Sequence, residues 1–292
     1  MKNINKGCID LLNNRRKKYI VCYSGGHQSA LAAVEVARKV PKEDIILLNH
    51  DISSKVEHED IKRFKREVSE YLGIPITYAN AENFEERTPL KIAKELGGFK
   101  FGRGTALCTY VLKTEPFQRW LKNNFPVSKE KNRIIPRDDV VIIYGFNSDE
   151  KERIQRRIGV MSNMGYQTDY PLAFWDRTIS NIEDIGINRP ITYKTHTHGN
   201  CQCCLKSAKT SFYVTYCENY ELWKEAVETE KEIGYSILKN IYLEELEPTF
   251  EKMKCMGIVP SEYVNYNKFW ADVKKMLPED GQMSFLPCEC SI

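Results

Sequence analysis

Tyr19-Ile20-Val21-Cys22-Tyr23-Ser24-Gly25-Gly26-His27-Gln28-Ser29-Ala30-Leu31-Ala32-Ala33-Val34-Glu35-Val36-Ala37 is the stretch that decides the fold. It opens with a short apolar run, turns through two glycines and two serines, and continues in strong helix formers. The pattern predicts strand, tight turn, helix. Such a turn aims free backbone N–H groups and the positive end of a helix at one point, where an anion can sit. Glycines let the backbone approach that anion without a Cβ, and Ser24 and Ser29 add hydroxyl donors. An ordinary strand-to-helix turn has the same composition, so the rest of the chain has to discriminate.

Downstream, the same alternation recurs. Pro41 ends the helix, and Asp44–Asp51 reads as a second buried strand ending in polar residues. Asp51, at the C-terminal end of that strand, is placed to meet a ribose, an adenine amine or a magnesium ion, or to cap a helix. Residues 56–72 carry apolar side chains at helical spacing (Ile61, Phe64, Val68, Tyr71, Leu72), and Gly73 ends them. Ile74–Ala79 reads as a third strand, and Val140–Gly145 as another buried one, followed by the polar run Phe146–Arg153. The expected class is α/β, a doubly wound and mostly parallel sheet, with a nucleotide-binding domain over 1–168 and a Cys-containing, largely helical region over 169–292. The stretch 123–139 reads as an exposed insertion, and Thr178 or Ser180 as the cap of a short helix through Ile185.

Bulk properties set the outer limits. The chain has 292 residues, 42% hydrophobic and 28% charged, which is ordinary for a globular protein with a real core. A net charge of +3 does not by itself call for nucleic acid. No apolar run approaches the roughly 20 residues of a membrane span, and Met1–Lys18 lacks the apolar centre of a signal peptide, so a cytoplasmic location and no membrane partner are expected. In a reducing compartment the ten cysteines are not expected to form a disulfide framework. Cys22 reads as a small core residue. Cys201-Gln202-Cys203-Cys204, with the distant Cys108, offers four thiolates, a set that suits zinc or a [4Fe–4S] cluster, with His196 or His198 able to replace one.

Taken together and in order, these motifs resemble the phosphoadenosine-phosphosulfate (PAPS) reductase family of the PP-loop, or adenine nucleotide α-hydrolase-like, superfamily. Ser24-Gly25-Gly26-His27-Gln28-Ser29 is similar to its Ser-Gly-Gly-x-[Asp/Gln]-Ser loop. Asp51 matches the acidic end of the second strand. Cys108-Thr109-Tyr110-Val111-Leu112-Lys113 matches a Cys-Thr-x-x-Leu-Lys element. Gly145, Glu150 and Arg153 match a Gly-(x)4-Glu-(x)2-Arg pattern, Pro171, Leu172 and Trp175 a Pro-Leu-x-x-Trp element, and Gly199, Cys201 and Cys204 a Gly-x-Cys-x-x-Cys element. The coverage runs from residue 19 to about 205. ATP-splitting members usually carry Asp where this chain has Gln28, and sulfonucleotide reductases often carry Gln.

The resemblance implies a loop that holds ATP or an adenylyl sulfonucleotide through Ser24–Ser29 and Gly145. Lys113, Glu150 and Arg153 then serve the reaction, with Asp51 as a Mg²⁺ carboxylate. It leans toward an iron–sulfur cluster over zinc at Cys108, Cys201, Cys203 and Cys204. Three functions stay open. One is adenylation of a substrate for sulfur transfer, with nucleic acid as an acceptor suited to the basic runs Arg15–Lys18, Lys62–Arg66 and Arg153–Arg157, and with a sulfur-donor protein as partner. Another is reduction of a sulfonucleotide to sulfite with a thioredoxin-like reductant, for which Glu289-Cys290 is similar to a Glu-Cys-Gly motif. The third is a catalytically inactive nucleotide-binding regulator.

Overall fold

The computed structural model of the chain describes residues 16–101, 104–199 and 201–277. Arg15, Gly102, Arg103, Asn200 and the Cys288-Glu289-Cys290 tail lie outside the described residues. In chain order the main elements are β1 (Lys18–Cys22), α1 (His27–Lys39), β2 (Ile45–Asn49), α2 (Glu59–Leu72), β3 (Ile76–Tyr78), α3 (Pro89–Leu96), α4 (Glu115–Asn124), β4 (Val140–Ile143), α5 (Lys151–Asn163), β5 (Gln167–Asp169), α6 (Pro171–Phe174), α7 (Lys209–Glu218), α8 (Tyr220–Ile233), α9 (Leu243–Cys255) and α10 (Tyr266–Met276). Two short hairpins pair Lys100–Phe101 with Thr105–Ala106, and Lys129–Glu130 with Arg133–Ile134. The second lies inside the stretch 123–139, read from sequence as an exposed insertion, and Lys129, Glu130 and Arg133 in it are exposed. Leu107–Thr109 forms a helical turn that passes through a π-helical segment, Tyr110–Thr114, into α4.

β1 to β5 make one sheet in the order β3-β2-β1-β4-β5, with every pairing parallel. Parallel sheets need both faces covered, and the sequence supplies near-continuous apolar strands for that purpose. Val21 and Tyr23 of the first strand region pack on one side with Leu31, Val34 and Val36 of α1 and Phe64 and Val68 of α2. Ile20, Val140 and Ile142 pack on the other with Phe117 and Leu121 of α4 and Ile154 and Met161 of α5. That alternation, with helices on both faces, is a doubly wound α/β arrangement. Each fully buried Val or Leu in it stabilises the fold by about 1.5–3 kcal/mol before entropy is counted.

The chain divides into two compact units. Among the described residues, the first takes 16–51, Glu59–Glu82 and Leu112–Pro190; the second takes Ile52–His58 and those within 83–111 and 191–277. The two units draw on segments that alternate along the chain, whereas the sequence reading divides it once, between 168 and 169. The second unit is built on helices. Thr88 caps α3 by accepting from the Lys91 amide at 3.2 Å, Pro89 occupies its first turn, and Gly97 closes it at φ +64°. Its centre is aromatic: Tyr213, Tyr216, Trp223 and Phe250 meet ring to ring at 5.2–5.7 Å. Phe99 and Tyr235 add an edge-on contact at 5.3 Å, and the Phe99 amide donates to the Tyr235 hydroxyl at 3.0 Å. Among the described residues no helix is long and apolar enough to cross a membrane.

Candidate functional site

In the order β3-β2-β1-β4-β5 the winding direction reverses between β1 and β4. The crevice outside the C-terminal ends of those two strands is where doubly wound sheets place ligands. The glycine turn leaves β1 there, and Gly145 follows β4 there. Gly25 has φ +80°, a left-handed conformation that favours glycine. Ser24 donates from its amide and its hydroxyl to Ser29 Oγ, both at 3.2 Å, and Ser29 Oγ donates to the Gly26 carbonyl at 2.8 Å. The two hydroxyl protons, expected to face an anion, are thus spent on bracing the turn. What remains for an anion is backbone. Gly26 caps α1 without a side-chain acceptor, and the first turn of α1 carries no acidic residue, so its positive end is not neutralised from within.

Gly145 shows how closely the two loops approach. A Cβ there would stand 2.6 Å from the Gln28 carbonyl oxygen and 3.0 Å from Ser29 Cα. Only glycine allows that contact, which sets the β4 loop directly against the first turn of α1. Beyond it, Glu150 accepts from the Asn147 amide at 2.9 Å and pairs with Arg153. The Arg153 guanidinium lies 4.3 Å from the centre of the Phe146 ring, and its side chain is largely exposed. Glu150 and Arg153 are therefore brought together with each other at the mouth of the crevice. Arg157 lies over Tyr144, and Tyr144, Phe146 and Tyr170 stack nearly parallel at 5.5–6.0 Å.

His27 is turned to a structural task. Its Nε2 accepts from the Ile182 amide at 3.3 Å. Burial first, and then the nearby Arg189, lowers its pKa, which keeps the ring neutral and able to accept. Lys113 is exposed, and its charge adds to burial in lowering the pKa of His50, whose Nδ1 meets the Ala79 carbonyl.

Asp51 stands two residues beyond β2 and carries partners that sequence reading did not assign. Lys65 Nζ lies 3.2 Å from Asp51 Oδ1, and Lys62 Nζ lies 3.9 Å from Oδ2. The Asp51 amide donates to Asn80 Oδ1 at 2.8 Å. Lys65 is only 2% exposed, and its stem passes so close to the glycine turn that a Cβ on Gly25 would sit 2.7 Å from its Cγ and Cε. The Tyr23 hydroxyl donates to the Lys65 carbonyl at 3.3 Å. A magnesium ion bound mainly by phosphate oxygens wants a carboxylate with a free lone pair. Asp51 pairs with Lys65 and more loosely with Lys62, and its two oxygens keep further acceptor positions beside those ammonium groups.

In the second unit, Cys201, Cys203 and Cys204 line one small cavity together with His196, Ser207, Ser211 and Glu262. Cys108 is buried at the start of the Leu107–Thr109 turn and does not line it. Cys203 is buried at φ +53°, and burial, with Cys204 beside it, raises its thiol pKa far above the ordinary range. Glu262 accepts from His196 Nδ1 at 3.0 Å, from the Thr197 amide at 2.9 Å and from Thr197 Oγ1 at 3.1 Å. Burial alone would raise the Glu262 pKa, but hydrogen bonds from His196, Ser211 and the Thr197 amide carry it down to about 2. Burial likewise works against a charged His196, yet Glu262 and then Glu218 outweigh it and raise the pKa. The space between these side chains is about 10 Å³, room for one water. That does not fit a four-iron cluster, and among the described residues no group of three or more His, Cys, Asp or Glu side chains is set to hold a metal ion.

No protein-family model, curated protein or solved structure matches this chain.

Proposed function

We propose that the chain is an adenine-nucleotide enzyme of the PAPS reductase type within the PP-loop superfamily, the group its motifs resemble, and that it works in sulfur chemistry. One observation carries the reading: a glycine turn with an uncapped, acid-free helix start lies against Gly145 at the reversal point of a parallel sheet. Backbone amides there hold the nucleotide's phosphate or sulfate tail. Glu150 holds the turn after β4 in place, and Arg153 and Lys113 lend positive charge to the mouth of the crevice.

Two reactions fit such a site. In the first, an acceptor oxygen attacks the α-phosphorus of ATP, the bond to the β-phosphate oxygen breaks and pyrophosphate leaves, so that the adenylated acceptor, nucleic acid included, can take sulfur. In the second, a thiolate attacks the sulfur of a sulfonucleotide, the nucleotide phosphate leaves, and a second thiol from a thioredoxin-like partner releases sulfite with formation of a disulfide. Gln28 favours the second, because sulfonucleotide reductases often carry Gln at that loop position and ATP-splitting members usually carry Asp. Cys290, the thiol that the resemblance offers for that attack, lies outside the described residues.

The test is equilibrium titration with ATP and with adenosine 5′-phosphosulfate, followed by product analysis. Binding that Gly26→Val abolishes is expected, with sulfite as the thiol-dependent product. Pyrophosphate from ATP would move the assignment to the first reaction, and unchanged affinity in Gly26→Val would remove the loop from it.

A further inference from the structure

β2 reads Ile45-Ile46-Leu47-Leu48-Asn49: four apolar residues and then a carboxamide, a group that strands usually avoid. Asn49 is only 1% exposed. Its Nδ2 donates to the Tyr23 carbonyl at 2.6 Å, while among the described residues its Oδ1 has no hydrogen-bond partner. A buried oxygen left unpaired costs about 1–3 kcal/mol. A leucine at this position would avoid that cost and would lose the donor. The acceptor shows why the donor matters. The Tyr23 amide donates to the Leu48 carbonyl at 2.8 Å, and in a parallel ladder the His50 amide would come next, to the Tyr23 carbonyl. β2 ends at Asn49, and the Asn49 side chain makes that bond instead. The same peptide unit is held on its other side, where the Ser24 amide donates to Ser29 Oγ at 3.2 Å. A peptide unit is planar. A bond on each side fixes its orientation, and with it the direction in which the chain enters the glycine turn.

Resting on the nucleotide-site reading above, we propose that Asn49 is a positioning residue of the anion turn: its side-chain amide clamps the Tyr23–Ser24 peptide, so that the backbone N–H groups of the turn are already aimed when the anionic nucleotide arrives. Asn49 lies beneath the turn and acts through it. Its contribution to affinity is preorganisation, the avoided cost of ordering the loop on binding.

The experiment is calorimetric titration of the full chain with adenosine 5′-phosphosulfate and with ATP, for wild type, Asn49→Leu and Asn49→Asp, at about pH 5.5 and about pH 8.5 and well below each variant's melting midpoint. Affinities are read as the ratio of variant to wild type at each pH, which removes the titration of His50, of Asp51 and of the ligand. Asn49→Leu has neither donor nor charge, and is expected to bind roughly tenfold more weakly at both pH values, the size of one lost hydrogen bond. Asn49→Asp is expected to bind at least as weakly at the higher pH, where the carboxylate cannot donate, and to recover most of the loss at the lower. There, burial and the facing carbonyl favour the neutral acid, whose O–H can donate to Tyr23. A purely structural asparagine would lower the melting midpoint and leave these ratios near one. Should Asn49→Leu fail to melt cooperatively, the recovery in Asn49→Asp decides. A folded Asn49→Leu with wild-type affinity overturns the proposal and leaves the nucleotide site standing, and so does an Asn49→Asp that gains nothing at the lower pH. Absence of binding by wild type removes the nucleotide site itself.

Discussion

At the scale of single residues, the candidate site depends on a few positions where one atom more or less matters. Gly145 is the clearest. Gly145→Ala drives a Cβ to 2.6 Å from a backbone oxygen of the α1 turn, which has no flexible end to yield. A loss of about 1–3 kcal/mol is expected, as for other forced overpacking, together with weakened nucleotide binding; urea unfolding and titration check both. Lys65 shows what sequence reading misses and why. It sits in the run Lys62-Arg63-Phe64-Lys65-Arg66, which reads as a basic stretch suited to nucleic acid, yet the residues that α2 buries are Ile61, Phe64, Lys65, Val68 and Leu72. Its spacing of four from Ile61 and three from Val68 was the available signal, outweighed by the ordinary preference of lysine for water. Asp51 was legible as a strand-end carboxylate, but its partners were not, because they come from a helix a dozen residues away. The His196–Glu262 pair gives a pH signature. Glu262 has a depressed pKa, so its contribution is present above the unfolded value of about 4.3 and is lost as pH falls toward 2. His196 has a raised pKa, so its contribution is full below about 6.5 and is lost as pH rises through the folded value. The stability gap between wild type and His196→Gln is therefore expected to peak between about pH 4.5 and 6.5 and to shrink on both sides. A gap that does not change from pH 5 to pH 8.5 in urea titrations would contradict the pairing.

At the scale of elements, buried carboxylates tie irregular segments to helices. Glu35, fully buried in the middle of α1, accepts from the Thr178 amide at 2.6 Å, the Ile179 amide at 3.1 Å and Thr178 Oγ1 at 3.1 Å. Glu230 does the same in α8 for the amides of Ile237 and Leu243, each at 2.6 Å. Glu35→Ala leaves two inward-facing amides without an acceptor and is expected to cost about 2–4 kcal/mol, read as a drop in the urea midpoint. A change below about 0.5 kcal/mol, the size of an ordinary surface substitution, would mean that the 178–179 segment does not depend on it. Strands β1, β2 and β4 were legible because strands buried on both faces must be apolar throughout. The glycine turn was legible as a strand-to-helix turn because its glycines and serines interrupt an apolar strand just before a run of strong helix formers. The ends were less so: β2 stops at Asn49 and α2 starts at Glu59, both inside the ranges read from sequence. The π-helical Tyr110–Thr114 has no periodicity of its own, since its apolar residues also suit an α-helix.

At the scale of the whole molecule, the division into compact units follows packing, not position along the chain. Composition changes where the chain changes character, near residue 169, but compact units are defined by which segments pack together. Residues 52–58 and the described part of 83–111 leave the parallel-sheet unit and join the helical unit, where the Gln202 amide donates to the Val56 carbonyl at 2.8 Å and Lys94 pairs with Glu232 at 2.8 Å. No local signal in 83–111 announces that destination. The thiol cluster shows the same limit: spacing made four cysteines look equivalent, whereas burial separates Cys203 from Cys201 and Cys204, and Cys108 does not line the cavity those three share. The central claim is that an anionic adenine nucleotide sits on the turn after β1 against the loop after β4. Amide hydrogen exchange of the full chain with and without saturating adenosine 5′-phosphosulfate or ATP tests it most directly. Protection concentrated at Ser24–Ala30 and Gly145–Asn147 is the expected result; a nucleotide that leaves both segments unchanged, or that protects only residues elsewhere, contradicts the account.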